Sequence, residues 1–447
     1  MQHITIYDYL LLPLYLLLFY ILVKRRSLRF EDLELRKIFL IAFVLRMFGS
    51  VAYSMLVQYY YGYGDAFTYY EGGDYLIEQI RSNAGNIKYL FAPASELQRV
   101  YSLEYGTTGG INGYIAADSS AAMMKASAII SILSFNKFLI TSLFLGFFSF
   151  AGQWKLFQVF NDVNKHKRQK LVAFAVLYTP AIWFWSSGLL KESICLGSVG
   201  FIISILYNAF VKKRISAADW IVFILLIYIV YVIKSYIVII LFVTIFFTFL
   251  FVLFQKIKII VLRLALTALT LLILYFSLSF FDFSEQINDF TEESIIQIES
   301  FQKNYQNTQM QDETSKGGFE MSNLTSTFEG MLLKSPVVIF TCLFRPFIWE
   351  SRKLIILLSS FESTLLMLGF FFLLIKSRVF GFLKLIFTNH YIFFCFLLSI
   401  LFAIIIGFTT FNFGTMTRYK IMLLPFLYFM LVDIYCRLIE KKKLETS

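Results

Sequence analysis

The chain has 447 residues, 58% of them hydrophobic and only 15% charged, with 53 Phe and 27 Tyr but 3 His and 4 Cys. That composition excludes a disordered chain, a disulfide-stapled secreted domain and a zinc protein built on Cys/His clusters, and with a mean hydropathy of +0.71 it describes an all-α polytopic membrane protein. The net charge of +11 is spread as a topology signal and not as a nucleic-acid footprint.

In hydrocarbon every backbone N–H and C=O must be satisfied internally, so each crossing is a helix of about 20 residues. Apolar windows predict eleven transmembrane helices, near 5–23, 38–60, 129–159, 171–187, 190–211, 218–233, 236–254, 259–281, 354–375, 388–409 and 421–436. The first is read as a retained helix, since no basic flank precedes it and no A-x-A site follows it. The third is long enough for a span plus an interfacial helix. Every second connection is basic: Lys24, Arg25 and Arg26 after the first span, Lys165 to Lys170 after the third, Lys212 to Arg214 after the fifth, and Arg437 to Lys443 after the last. Those connections are cytoplasmic by the positive-inside rule, so the N-terminus lies outside and the C-terminus inside.

Five segments follow: a two-span segment 1–60, a long outer loop 61–128 with an acidic motif, a central helical bundle 129–281, a second long outer loop 282–353 with an interfacial or re-entrant helix, and a three-span segment 354–447 with a basic tail. The polar stretch 300–325 is expected to be a mobile outer loop. The four cysteines fall in or beside spans and predict no disulfide framework.

With charge so scarce, an ionisable residue at or inside a span is informative. Gly62-Tyr63-Gly64-Asp65 follows the second span, and its glycines let the chain turn sharply, which holds Asp65 at the water–lipid boundary as a candidate base. Tyr69 stands one helical turn on, with Tyr70 and Glu71 beside it. Between the fourth and fifth windows, Trp183-Phe184-Trp185-Ser186-Ser187-Gly188 leads to Lys191-Glu192. Ser186 and Ser187 are expected to open the fifth helix, whose free N–H groups suit phosphate. Lys191 in its first turn opposes the dipole, so helix stability does not explain it. Lys234 links the sixth and seventh windows and is expected to snorkel.

Further along, Val337 to Phe344 is too short to cross the bilayer, and Arg345 ends it before Pro346, with Glu350 a partner within reach. Between the last two windows Asn412 and Gly414 allow a tight turn, and Arg418, whose fork matches phosphate oxygens, is expected to open the last helix. The bilayer midplane reads as nearly bare of charge, with Arg46 and Glu362 assigned to span ends or less certain windows. Asp65, Lys191, Arg345 and Arg418 are thus expected at one membrane level, around a cavity open to the outer face that takes a membrane-borne anion.

These motifs resemble the GT-C superfamily of membrane glycosyltransferases, including protein mannosyltransferase-like and aminoarabinose transferase-like enzymes, and more distantly the O-antigen polymerases and ligases. The resemblance covers most of the chain in layout and about four short motifs in residues. It implies an all-helical enzyme of the bacterial cytoplasmic membrane that moves a sugar from a polyprenyl-phosphate donor to a glycan or lipid acceptor. By the same resemblance Asp65 is the base, and Lys191, Arg345, Arg418, Ser186 and Ser187 bind the donor phosphate. Tyr69, Tyr70, Glu71, Glu192, Asn412, Trp183 and Trp185 position the sugar. The acid follows the second span where the family usually has it after the first, which implies an added N-terminal helix. No adjacent Asp-Glu pair stands at the boundary and no ligand cluster indicates a metal, so the cofactor stays unassigned, a divalent metal included. Alternatives of other kinds are a polysaccharide polymerase, a lipid-linked-sugar flippase or other transporter, and a non-catalytic scaffold.

Overall fold

The structure, a computed structural model, describes residues 3–106, 110–257, 328–351, 353–410 and 412–446. Every regular element among them is helical. Six helices are long and apolar enough to cross a membrane, or up to eight if each of two sharply bent pairs is one span. The chain is therefore a multi-pass membrane protein, and the predicted number of about eleven spans is not reached among the described residues.

The differences have local causes. The window 171–187 is broken: α8 (Gln169–Ala173) runs into a π-helical turn, Phe174–Tyr178, and α9 (Pro180–Trp185) then starts afresh. Pro180 has no N–H to continue the ladder and drives Thr179 to an extended ψ of 125°. The window 129–159 divides between α6 (Asp118–Ser134) and α7 (Phe138–Val163), bent by 107° where Phe135 and Asn136 take left-handed backbone angles. The windows 218–233 and 236–254 form α11 (Ala217–Gln255), interrupted at Lys234 with φ −152° and ψ 82°. At 1.5 Å per residue its length is about 58 Å, twice the hydrocarbon core, so the interruption separates two membrane-length halves. The window 259–281, the acidic stretch 282–327 and the loop 300–325 lie outside the described residues.

The chain forms two compact units, Met1–Ile239 and Ile240–Ser447. In the first, α1 (Ile6–Ser27) and α2 (Leu33–Leu56) pack on α7, and α7 packs along α10 (Lys191–Tyr207). Small residues set these approaches. A Cβ at Gly152 would overlap the carbonyl of Gly197, and one at Gly200 would overlap the carbonyl of Gly152, so the α7 and α10 backbones touch. The segment between α2 and α6 is itself largely helical: α3 (Asp65–Ser82) lies along α6, with α4 (Ala94–Tyr105) and α5 (Gly110–Ile115) beside them.

In the second unit α12 (Phe328–Phe344) packs against α15 (His390–Thr409), with Gly407 pressed on Val338, and α15 packs on α17 (Leu424–Thr446). The apolar part of α12, Leu333–Phe344, is among the short apolar helices, as the sequence predicts. Between α12 and α15 in the chain come α13 (Leu354–Ser377) and α14 (Val379–Thr388). The short helix α16 (Phe413–Lys420) meets α17 at a 62° bend.

Candidate functional site

The site is built on the start of α3. Two glycines with positive φ, Gly62 at 70° and Gly64 at 137°, turn the chain out of α2 so that Asp65 becomes the first residue of the new helix. Its carboxylate is half-buried and accepts from the Tyr114 hydroxyl at 3.1 Å. One turn along, Tyr69 is buried, and its ring meets the Tyr114 ring edge-on at 6.5 Å. The Lys191 ammonium stands 5.6 Å from the centre of the Tyr69 ring and donates to the Ser119 and Ser120 hydroxyls at 2.9 and 3.3 Å. Asp65 and Lys191, 126 positions apart in the chain, thus face one tyrosine pair.

Lys191 lies in the first turn of α10, as the sequence predicts, but as its first residue, and no side chain caps that helix end. Beside it runs a groove of about 1220 Å³ with an apolar wall that includes Ile129, Phe144, Phe148, Ile194, Tyr228 and Ile233. Asp118 and Ala121 of α6 and Ile194 of α10 line it, so the groove borders the two helices that carry Ser119, Ser120 and Lys191.

Several expectations change here. Ser186 and Ser187 do not open the fifth helix: Ser186 closes α9, α10 starts at Lys191, and both serines are fully buried. Their partners are internal. The Ser187 carbonyl accepts from Ser50 Oγ at 2.6 Å, and Ser187 Oγ donates to the Trp183 carbonyl. Lys234 does not snorkel: it is buried, and its ammonium is 2.7 Å from Glu192 Oε1, itself fully buried. Glu192 is held by this pair at the interruption of α11, whose extended residue is Lys234. Arg46 is not near a span end: it follows Leu33 by thirteen residues and precedes Tyr61 by fifteen in the span Leu33–Tyr61. Glu362 likewise lies inside α13, where it accepts from the Tyr428 hydroxyl at 3.3 Å.

Arg46 is only 2% exposed, and its NH1 donates to the Ser186 carbonyl at 2.9 Å and to Ser149 Oγ at 3.2 Å. Ser186 Oγ and Gln153 Oε1 accept from it as well. The guanidinium thereby ties α2, α7 and the α9–α10 turn together through neutral oxygens. Arg46→Met strands those buried acceptors at about 1–3 kcal/mol each, so an overall loss of about 3 kcal/mol is expected in thermal or denaturant unfolding of the purified protein. An unchanged midpoint would show that the acceptors do not depend on Arg46.

The remaining expected residues of the first unit face elsewhere. The Tyr70 hydroxyl donates to the Asn136 carbonyl at 2.8 Å, and the Glu71 carboxylate lies 3.3 Å from His3 Nε2. Burial lifts the Glu71 carboxyl above its ordinary range and depresses the His3 imidazole. Trp185 is buried against Phe184 and Tyr53, and Trp183 packs on Phe48, so both rings are packing surfaces.

In the second unit Arg345 Nε sits 2.9 and 3.1 Å from the two Glu350 oxygens, the partner its sequence position predicts. Its guanidinium also lies 5.1 Å from the centre of the Phe413 ring. Asn412 caps α16 by accepting from the Gly414 N–H at 2.7 Å. Arg418 does not open the last helix: it lies in the last turn of α16, and α17 begins at Leu424. Sequence reasoning passed over Lys420, which is buried and donates to the Arg345 carbonyl at 2.6 Å and to Ser363 Oγ at 3.2 Å. It also passed over Tyr114, Ser119 and Ser120, which carry no local signal in a polar loop.

Among the described residues no three His, Cys, Asp or Glu side chains are grouped to hold a metal ion. No protein-family model, no curated protein and no solved structure matches the chain.

Proposed function

We propose that the chain is a membrane glycosyltransferase that moves a sugar from a polyprenyl-phosphate donor to a glycan or lipid acceptor. The reading puts the reaction at the outer face of a bacterial cytoplasmic membrane, with the N-terminus outside and the C-terminus inside. The observation that carries it is the meeting of Asp65 and Lys191 on the Tyr69–Tyr114 pair, with a largely apolar groove bordered by the same helix α10 that Lys191 opens.

A lipid-linked sugar has three parts, and each has a counterpart here. The tail takes the apolar groove. The phosphate takes Lys191, whose position at the start of α10, an end that no side chain caps, adds the free N–H groups of a helix N-terminus. Ser119 and Ser120 hold the ammonium in that place. The sugar takes the tyrosine faces. In the transfer, the acceptor oxygen bonds to the anomeric carbon as the bond from that carbon to the phosphate oxygen breaks. The proton of the acceptor hydroxyl passes to Asp65, and polyprenyl phosphate departs with the bonding electron pair. Tyr114, donating to Asp65 Oδ1, orients the carboxylate at the start of α3.

The test is transfer by the full-length protein in proteoliposomes, with lipid extract from a glycan-producing bacterium as donor source. Asp65→Asn is expected to lower turnover by about 10²–10⁴-fold with donor retention unchanged. Lys191→Met is expected to weaken donor retention first. Full activity of Asp65→Asn would remove the base from the reading. A ladder of products in place of single additions would identify polymerase chemistry.

A transporter reading also has an observation in its favour: the buried Glu192–Lys234 pair at an interrupted helix, an arrangement found where transporters line a substrate path. Movement of the donor across acceptor-free vesicles would select it over the enzyme.

A further inference from the structure

The helix that begins at Lys191 ends at Tyr207, and its 17 residues put about 25 Å between the candidate site and a second cavity at the far end. That cavity, of about 780 Å³, is lined by Lys155, Lys165, Lys167 and Lys212, with Asn161 and Asn164 among its polar walls. Of the nearby acids, Asp162 is taken by Lys212 at 2.5 Å and by the Tyr207 hydroxyl. A second acid close to Lys155, Asp219, is engaged by the N–H and hydroxyl of Ser216 at 2.9 and 2.8 Å. Positive charge is left over.

Lysines at the ends of α7 and α10 complement the helix dipoles in their own right. Asn164 is not explained that way. It is 5% exposed, its Oδ1 accepts from the His166 N–H at 3.2 Å, and its Nδ2 has no hydrogen-bond partner. The bonded oxygen fixes which end of the amide is which, so Asn164, a residue of the cavity wall, holds a buried N–H₂ donor with unused hydrogens, while Asn161 Oδ1 and Gln169 Oε1 on the same wall are buried acceptors without a partner. A buried donor left unmet costs about 1–3 kcal/mol, and an anionic oxygen both meets it and answers the lysines.

We propose that this cavity binds a phosphate-bearing anion, seated on Asn164 Nδ2 and ringed by Lys155, Lys165 and Lys167. A basic cavity between membrane helices on the lysine-rich side suits an anionic lipid headgroup, and inorganic phosphate carries the same chemistry.

The test uses the full-length protein in neutral detergent. Native mass spectrometry reads retention of phosphatidylglycerol against phosphatidylcholine, and thermal unfolding reads the response to inorganic phosphate. Two variants accompany the wild type. Asn164→Asp keeps the acceptor for the His166 N–H but turns the free donor into an anionic oxygen, and Lys155→Gln/Lys167→Gln removes the charge of half-buried Lys155 and exposed Lys167 with little change of side-chain length. Preferential retention of phosphatidylglycerol, cut roughly tenfold by each variant, supports the site with a lipid as source. A phosphate-dependent rise in the unfolding midpoint that both variants abolish supports it with soluble phosphate as source. Equal retention of the two lipids with no phosphate response, or binding that neither variant changes, overturns it.

Discussion

Glu192→Leu is expected to destabilise the protein by about 3–5 kcal/mol, while Glu192→Leu with Lys234→Met is expected to recover most of that loss. The Glu192 carboxylate is fully buried and 2.7 Å from a Lys234 ammonium that is itself buried. Deleting the acid leaves the ammonium in an apolar surround without its close counter-charge, whereas deleting both charges exchanges a desolvated pair for packed hydrocarbon. Detergent-solubilised yield and unfolding midpoint measure the effect on each variant. If the single variant matches wild type, the pair does not hold α10 to the interrupted helix. The double variant carries a second reading: an enzyme that uses Lys191 and Asp65 keeps its transfer activity there, but a transporter that needs the charged pair loses its flux.

Gly152→Val is expected to be as damaging, at about 3 kcal/mol or more, because the clash is with backbone and not with a movable side chain. A Cβ at Gly152 would overlap the Gly197 carbonyl, and the reciprocal contact involves Gly200 and the Gly152 carbonyl. Relief therefore requires α7 and α10 to separate, which withdraws Gln153 from Arg46 and loosens the α9–α10 turn that precedes Lys191. Gly369→Ala is the control: nothing lies within 4 Å of its added methyl, and the substitution raises helix propensity. Equal unfolding midpoints for the two variants would show that the close approach of α7 and α10 is not required.

The distribution of apolar residues made the membrane class and most of the helices legible. Asp65 and Lys191 were also legible, because each is a charge at the end of an apolar run, framed by glycine or serine. The same method misplaced Ser186 and Ser187. Ser-Ser-Gly before an apolar run reads as a helix start, but Pro180 begins a six-residue helix first and uses the serines as its end. It also misjudged Arg46 and Lys234. A cation among apolar residues looks the same in sequence whether it reaches for water or is enclosed.

By itself the sequence determined that this chain lies in a membrane, which apolar stretches become helix, and which boundary charges need a reason. Hydropathy and turn chemistry are local, so neighbouring residues carry them. Tertiary structure decided the partners: Lys191 with Ser119 and Ser120, Lys234 with Glu192, and Arg46 with Gln153 and Ser186, separated by 72 and 71, 42, and 107 and 140 positions. Those pairings depend on how each helix is rotated and how closely its small residues let a neighbour approach, and packing sets both.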